Sequence, residues 1–151
     1  MTLTDKEMGF IAKSFSDRIT EQLKLHEGYR RFIYKCTSNK NTIAYGRNLT
    51  DKGISRKEAE YLLQNDILEC LKDLEKIFLN TFGLMPINAQ LVLTDMRFNL
   101  GSQGFRSFKK LIKFADRGDW RSVIKEMIDS RWYRQVGDRS KTLVDMIEDI
   151  E

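Results

Sequence analysis

The chain has 151 residues, of which 41% are hydrophobic and 32% are charged, and its formal net charge is +4. This length supports one ordinary domain with its own core, and the apolar content excludes both intrinsic disorder and a membrane-embedded protein, which needs about 20 apolar residues in succession. The modest positive charge favours a polyanionic partner, such as nucleic acid, an acidic lipid surface or an anionic wall polymer, without choosing among them.

The cysteine content argues against a metal or disulfide scaffold. Cys36 and Cys70 are the only two cysteines, and they have no metal-type spacing. Neither a disulfide framework nor a zinc site is therefore expected. Two free thiols indicate synthesis in a reducing compartment.

The first predicted element is a helix that begins at a capping box, Thr4-Asp5-Lys6-Glu7. Apolar residues recur every four positions from Phe15 to Leu23, and the helix is predicted to stop at Gly28. Glu27 would then lie at the helix C-terminus. The helix dipole disfavours a negative charge at that end, which favours the protonated acid.

A β-hairpin is predicted next. Between Tyr29 and Asn48, β-branched and aromatic residues flank a polar cluster at 37–41, and a third short strand is expected near 46–50. Gly46 lies where a side chain would block a cleft or where a turn would need a positive φ. A second capping box, Ser55-Arg56-Lys57-Glu58, begins a predicted helix of about 25 residues.

Short helices are predicted for the remainder of the chain. Asn88 is the expected cap of a helix that stops at Gly101, a second helix covers 107–117, and a third follows a cap at Asp119. Trp132 is predicted to anchor the core rather than to bind sugar, because it lies among apolar helix residues. One small sheet among many helices indicates a mostly helical α+β fold.

Several groups of residues carry a family resemblance. Glu27, Cys36 and Thr42 are separated by eight and five intervening residues. The further groups are Thr42-Ile43-Ala44-Tyr45-Gly46, Phe98-Asn99-Leu100-Gly101, and Ser130-Arg131-Trp132-Tyr133 followed by Gln135 and Arg139. In this order they resemble the motifs of the phage-type lysozymes, the T-even phage endolysin group of glycoside hydrolase family 24, over residues 16–147.

The resemblance implies one lysozyme domain with two lobes. A hairpin lobe is expected over 24–54, a connecting helix over 55–80, and a helical lobe over 84–151 that also includes the N-terminal helix. The implied reaction is hydrolysis of the β-1,4 bond between N-acetylmuramic acid and N-acetylglucosamine in bacterial peptidoglycan. No cofactor or metal is implied.

The family pattern also assigns roles to residues. Glycoside hydrolysis needs a protonated acid beside the leaving oxygen and a group on the opposite face that activates water or attacks. Glu27 corresponds to the acid, Cys36 takes the position of the second catalytic group, and Thr42 would hold the attacking water. The implied sugar-binding residues are Tyr45, Gly46, Asn48, Phe98, Asn99 and Gln135, with Arg47 and Arg139 behind them and Arg139 orienting Glu27.

The chain departs from the pattern at two positions. Cys36 stands where the family usually has Asp, and at pH 7 a thiol with the ordinary pKa of about 8.5 is only a few per cent ionised. Cys36 could activate or position water, attack the sugar directly with retention, or be inert. Arg47 stands where relatives often carry His, and it could anchor the hairpin or meet a peptide-stem carboxylate.

Two other functions stay open at this point. A lytic transglycosylase works with one Glu and no Asp, which suits the departure at Cys36. A non-catalytic peptidoglycan-binding protein could share the same fold. Under the lysozyme hypothesis we expect a monomer without nucleic-acid partner or membrane span, made in the host cytoplasm because the first residues lack a signal peptide. It would reach the periplasmic cell wall through a holin-type pore.

Overall fold

The computed structural model describes the backbone of residues 5–150 and the side chains of residues 14–150. These residues form seven α-helices, one 3-10 turn and one three-stranded sheet, which confirms the predicted mostly helical α+β class. The elements are α1 (Asp5–Glu27), β1 (Arg30–Lys35), β2 (Asn41–Ala44), β3 (Arg47–Asn48), α2 (Arg56–Phe78), the 3-10 turn Phe82–Leu84, α3 (Ile87–Arg106), α4 (Lys109–Asp116), α5 (Trp120–Ile128), α6 (Arg131–Val136) and α7 (Asp138–Glu148).

The chain divides into two compact units, Met1–Ala59 and Glu60–Glu151. Among the described residues, no helix combines the length and the apolar character that crossing a membrane requires.

The sheet of the first unit is antiparallel, with the order β1-β2-β3. Thr42 on the central strand lies opposite Tyr34 of β1 and Asn48 of β3. The turn between β1 and β2 is closed by two backbone hydrogen bonds, from Cys36 N–H to Lys40 O at 3.0 Å and from Asn39 N–H to Cys36 O at 2.9 Å. The predicted hairpin and its short third strand are confirmed.

The predicted end of helix α1 and the predicted capping box of helix α2 are both confirmed. Helix α1 ends at Glu27, and Gly28 follows with φ of +69°, a conformation that favours glycine at a helix end. At the start of α2, Ser55 N–H donates to Glu58 Oε2 at 2.7 Å and Glu58 N–H donates to Ser55 Oγ at 3.2 Å, which is a reciprocal capping box. The capping box predicted at Thr4 lies outside the described residues.

The hydrophobic core lies in the second unit. Phe78 stacks on Phe82 with ring centroids 6.3 Å apart and meets Phe105 edge-on at 6.5 Å. Trp132 is only 5% exposed, which confirms its prediction as a core anchor. The large side chains buried with these aromatics are Leu74, Val92, Leu93, Met96, Leu111, Val123, Met127, Leu143, Val144 and Ile147.

One predicted helix boundary is wrong and another is confirmed. Helix α3 begins at Ile87 directly after Pro86, and the side chain of Asn88 donates to Met146 O at 3.0 Å instead of capping the helix. The predicted stop at Gly101 is confirmed, because its φ of +73° and ψ of +169° are not helical and produce a kink, after which a second helical segment runs to Arg106. Asn88 is bound by a partner 58 residues away, a contact that local sequence does not reveal.

Further along the chain, the predictions are partly right. Asp119 caps α5 by accepting from Ser122 N–H at 3.2 Å, as predicted. Helix α4 begins at Lys109 rather than at 107, and α6 is a separate short helix, capped by Ser130, that the sequence did not indicate.

A buried ion network joins α2 to both sides of the kink in α3. Asp73 accepts from Arg97 Nε at 2.5 Å and contacts Arg106 Nη2 at 2.5 Å, and Arg106 also bonds to Ser102. These arginines, Arg106 above all, hold the pKa of the Asp73 carboxyl well below its ordinary range against the opposing effect of burial. The pairing joins the helical segments on the two sides of the kink at Gly101 through one carboxylate.

Candidate active site

Glu27 and Gly46 lie close together in the candidate site. A Cβ placed on Gly46 would lie 2.8 Å from Glu27 Oε2 and 3.0 Å from its Cδ, and Gly46 has φ of +77°. The positive φ favours glycine, and a side chain at this position would push aside the end of the flexible Glu27 side chain. The positive φ that the sequence suggested for Gly46 is therefore confirmed.

The turn that presents Gly46 contains a second left-handed residue. Ala44 has φ of +58°, and it stands where the family strand carries glycine. The left-handed conformation costs a residue with a Cβ about 1–2 kcal/mol. The turn from Ala44 to Gly46 is thus strained, and contacts elsewhere in the unit must hold it.

Arg47 supplies such a contact. Its guanidinium group binds Glu58 through two bonds, Nη2 to Oε1 at 2.6 Å and Nη1 to Oε2 at 2.9 Å, and Nη1 also donates to Gly53 O at 3.3 Å. The hydrogen bonds from Arg47, followed by that from the Ser55 backbone, lower the pKa of the Glu58 carboxyl to about 2. Arg47 therefore anchors the hairpin to the start of α2, one of the two roles that the sequence suggested.

Cys36 and Thr42 both lie at the turn end of the β1–β2 hairpin. Cys36 is half-buried and Thr42 is 3% exposed. Hydrogen bonds from the backbone amides of Lys40 and Ser38 are the main causes that lower the pKa of the Cys36 thiol, while burial opposes them. These donors favour a negative charge at position 36, whether a thiolate or a carboxylate carries it.

The hydroxyl of Thr42 is itself oriented. Oγ1 donates to Lys40 O at 3.1 Å. A hydroxyl that donates its only proton to a carbonyl keeps its lone pairs as acceptors.

The predicted substrate residue Asn48 is bound within a turn. Its Nδ2 donates to Asp51 Oδ2 at 2.9 Å, and its Oδ1 accepts from Asp51 N–H at 3.0 Å. Lys40 pairs with the same carboxylate at 3.0 Å. These contacts fix the end of β3, and a role for Asn48 in binding sugar stays a prediction.

The remaining predicted residues lie in the second unit. Phe98 lines an apolar groove of about 490 Å³ between α2 and α3, and Arg139 closes that groove through an ion pair with Asp95 at 2.7 Å. Asn99 Oδ1 accepts from Trp132 Nε1 at 2.8 Å, and Gln135 is exposed on α6. The predicted approach of Arg139 to Glu27 stays a prediction.

The sequence also matches known proteins. The family model described as phage lysozyme matches residues 24–146, a range that includes every candidate site residue. The chain is similar to Probable T4-type lysozyme 2 of Dictyostelium discoideum, at 23% identity over 86% of this chain and 93% of that protein. Probable T4-type lysozyme 1 of the same organism is 24% identical over the same shares of the two chains.

The contact between Arg47 and Glu58 predicts an acid-sensitive contribution to stability. The Glu58 pKa is about 2 in the folded chain, and a free Glu has about 4.3, so the contribution is complete above the unfolded value and is lost as the pH falls through about 2. Glu58→Gln should lower the melting temperature at pH 7, and this deficit should shrink towards pH 2. Glu58→Ala should lower it further, because Gln can still accept from Ser55.

The matched control is Glu60→Gln on the exposed surface of the same helix, which should change the melting temperature little at either pH. Thermal unfolding followed by circular dichroism measures all three variants. A Glu58→Gln deficit that is the same at pH 7 and pH 2 would contradict the ion-pair account.

Proposed function

The chain belongs to the phage lysozyme family, and on that premise we propose that it cleaves the β-1,4 bond between N-acetylmuramic acid and N-acetylglucosamine, with Glu27 as general acid. Members of this family are glycoside hydrolases of the lysozyme type, and their substrate is peptidoglycan. The observation that carries the proposal is the close packing of the Glu27 carboxylate against Gly46. The fold thus places an exposed carboxyl beside the turn at Gly46, and general acid catalysis depends on such placement of the proton donor.

Water activation is the proposed role of Cys36 and Thr42. Glu27 gives its proton to the glycosidic oxygen as the bond to the anomeric carbon breaks. A water molecule that donates to Thr42 Oγ1 gives its other proton to the Cys36 thiolate and adds to the anomeric carbon. The lowered pKa of the Cys36 thiol supports this role, because it increases the fraction of thiolate near neutral pH.

Other assignments rest on the family pattern alone. Sugar binding by Phe98, Asn99 and Gln135, and orientation of Glu27 by Arg139, are proposals of this kind. The monomeric state and release through a holin-type pore are likewise proposals.

Replacement of Glu27 tests the acid. Glu27→Gln should reduce lysis of outer-membrane-permeabilised cells by about 10²–10⁴-fold, because the amide has no proton to give. Glu21→Gln is the matched control, since Glu21 is exposed on the same helix and pairs only with Lys24 at 3.3 Å among the contacts described. The rate of turbidity loss measures both variants, and full activity in Glu27→Gln would remove Glu27 from the mechanism.

Mass spectrometry of the digested wall tests the reaction itself. Reducing muramic ends are expected from hydrolysis. Products with 1,6-anhydro ends would instead identify a lytic transglycosylase, the alternative that the thiol at position 36 favours. Wall binding without any soluble product would identify a non-catalytic protein.

Two glycine variants test whether Gly46 positions the acid. Gly46 and Gly53 both have positive φ, at +77° and +61°, but a Cβ on Gly53 meets nothing within 4 Å. Alanine should strain the backbone at both sites, whereas only Gly46→Ala should displace Glu27 and reduce lysis, by about 10²-fold for a misplacement near 1 Å. Activities are compared at equal folded fraction, and equal loss in the two variants would contradict the positioning role.

The role of Cys36 predicts a distinctive pH dependence. Because ionisation activates the thiol, the ratio of wild-type activity to that of Cys36→Asp should rise as the pH passes the lowered thiol pKa. Cys36→Ser should be slower than both, at every pH from about 5 to 9, since its hydroxyl stays neutral. Hydrolysis of purified peptidoglycan measures the profiles, and full activity in Cys36→Ser would show that the thiol has no catalytic role.

A further inference from the structure

Two exposed tyrosines flank the candidate acid. Tyr29 follows Glu27 after one intervening glycine, and Tyr45 immediately precedes Gly46. Their ring centroids are 5.6 Å apart, with the ring planes inclined at 45°. Tyr29 is 65% exposed and Tyr45 is 46% exposed. The pair is a joined aromatic surface of which about half is open to solvent.

The chain itself keeps this surface close to the acid. Consecutive Cα atoms are about 3.8 Å apart, so the Cα of Tyr29 lies within about 7.6 Å of that of Glu27, and the Cα of Tyr45 lies about 3.8 Å from that of Gly46. Gly46 in turn contacts the Glu27 carboxylate. Tyr45 is bonded directly to Gly46, and Tyr29 is two positions after Glu27. Both tyrosines therefore lie close to the proposed acid along the chain.

Two aromatic residues of the neighbouring strand β1 differ from this pair, because an arginine lies over each of their rings. Arg30 lies over the Tyr34 ring at 4.6 Å from its centroid, and Arg31 lies over the Phe32 ring at 5.5 Å. Among the described residues, no such cation contact is found at Tyr29 or Tyr45. Their ring faces are thus the ones available to a ligand.

We propose that Tyr29 joins Tyr45, which the family resemblance already implies as a sugar-binding residue, in a platform for a pyranose ring of the glycan strand, beside the bond that Glu27 cleaves. This inference rests on the proposed function. The C–H face of a pyranose ring carries partial positive charge and packs on the negative face of an aromatic ring. The phenolic hydroxyls at the ring edges can bond to the sugar hydroxyls that surround that face.

The glycan is favoured over the peptide stem as the occupant of this platform. A peptide stem carries carboxylates, which bind best to cations. On this part of the hairpin the arginines Arg30 and Arg31 lie over other rings, and Arg47 is occupied by Glu58. A neutral aromatic surface instead matches the neutral, amphipathic N-acetyl sugars.

The platform is tested by binding in a Glu27→Gln background, where the wall is not cleaved. Purified peptidoglycan is pelleted with each variant, and the free protein is measured. Tyr29→Ala and Tyr45→Ala should each weaken binding by about fivefold to tenfold, the loss expected for one aromatic contact of roughly 1 kcal/mol. Tyr29→Phe should keep most of the affinity, because the ring is retained.

Phe32→Ala is the matched control, since Phe32 is a 76% exposed aromatic residue on strand β1, three positions after Tyr29. It should bind like the parent, and melting temperatures should confirm that all variants are folded. In the catalytically competent chain, Tyr29→Ala should raise KM with little change in kcat.

Unchanged binding in Tyr29→Ala would overturn the platform, as would an equal loss in Phe32→Ala, which would indicate unspecific apolar adsorption. Failure of the platform can be distinguished from failure of the proposed mechanism. If Glu27→Gln still lyses cells, the assignment of the acid fails, whereas a selective loss of binding in the tyrosine variants, measured on intact wall at low temperature, would still support the platform.

Discussion

The contact between the Glu27 carboxylate and the backbone of Gly46 is the constraint on which the first unit depends. Helix α1 must end at Glu27, and the left-handed Gly28 ends it there. The chain must then return to the same point through β1 and β2, in a register that places Arg30 opposite Ala44. A shift of one residue in this register would move the glycine away from the acid and turn the opposite face of the strand towards it.

Keeping Gly46 in place requires more than the sheet. The turn contains Ala44 and Gly46, both with positive φ, and β3 after it is only two residues long. Such a short strand has few backbone hydrogen bonds of its own. Arg47 compensates, because its planar guanidinium group binds Glu58 through two bonds and the Gly53 carbonyl through a third, a geometry that a lysine ammonium cannot reproduce. The hairpin is thereby attached to the rigid first turn of α2.

Local signals in the sequence predicted most of what positions the acid. The glycine after Glu27, the polar turn at 37–41, the capping box at Ser55 and the need for glycine at position 46 each depend on neighbours within a few residues. The family spacing then indicated Glu27, Cys36 and Thr42 as site residues, an assignment that stays a prediction.

The ion pairs could not be predicted, because their partners are distant in sequence. Arg47 and Glu58 are 11 residues apart, Arg97 and Asp73 are 24 apart, and Arg139 and Asp95 are 44 apart. In the sequence Asp73 and Asp95 look like parts of solvated helix faces, and Glu58 is recognised only as a capping-box residue. The stop at Gly101 follows from glycine itself, whereas the binding of Asp73 to arginines on both sides of the kink has no local signal.

The environment of Cys36 explains how a thiol can occupy a position where the family has a carboxylate. The donors around it are backbone amides of the β1–β2 turn, which depend on the fold of the hairpin rather than on the residue at position 36. A carboxylate there is ionised at any physiological pH, whereas a thiol becomes ionised only as the pH approaches its lowered pKa. Under the proposed water-activating role, a thiol at this position would therefore make the activity depend on pH through its own ionisation.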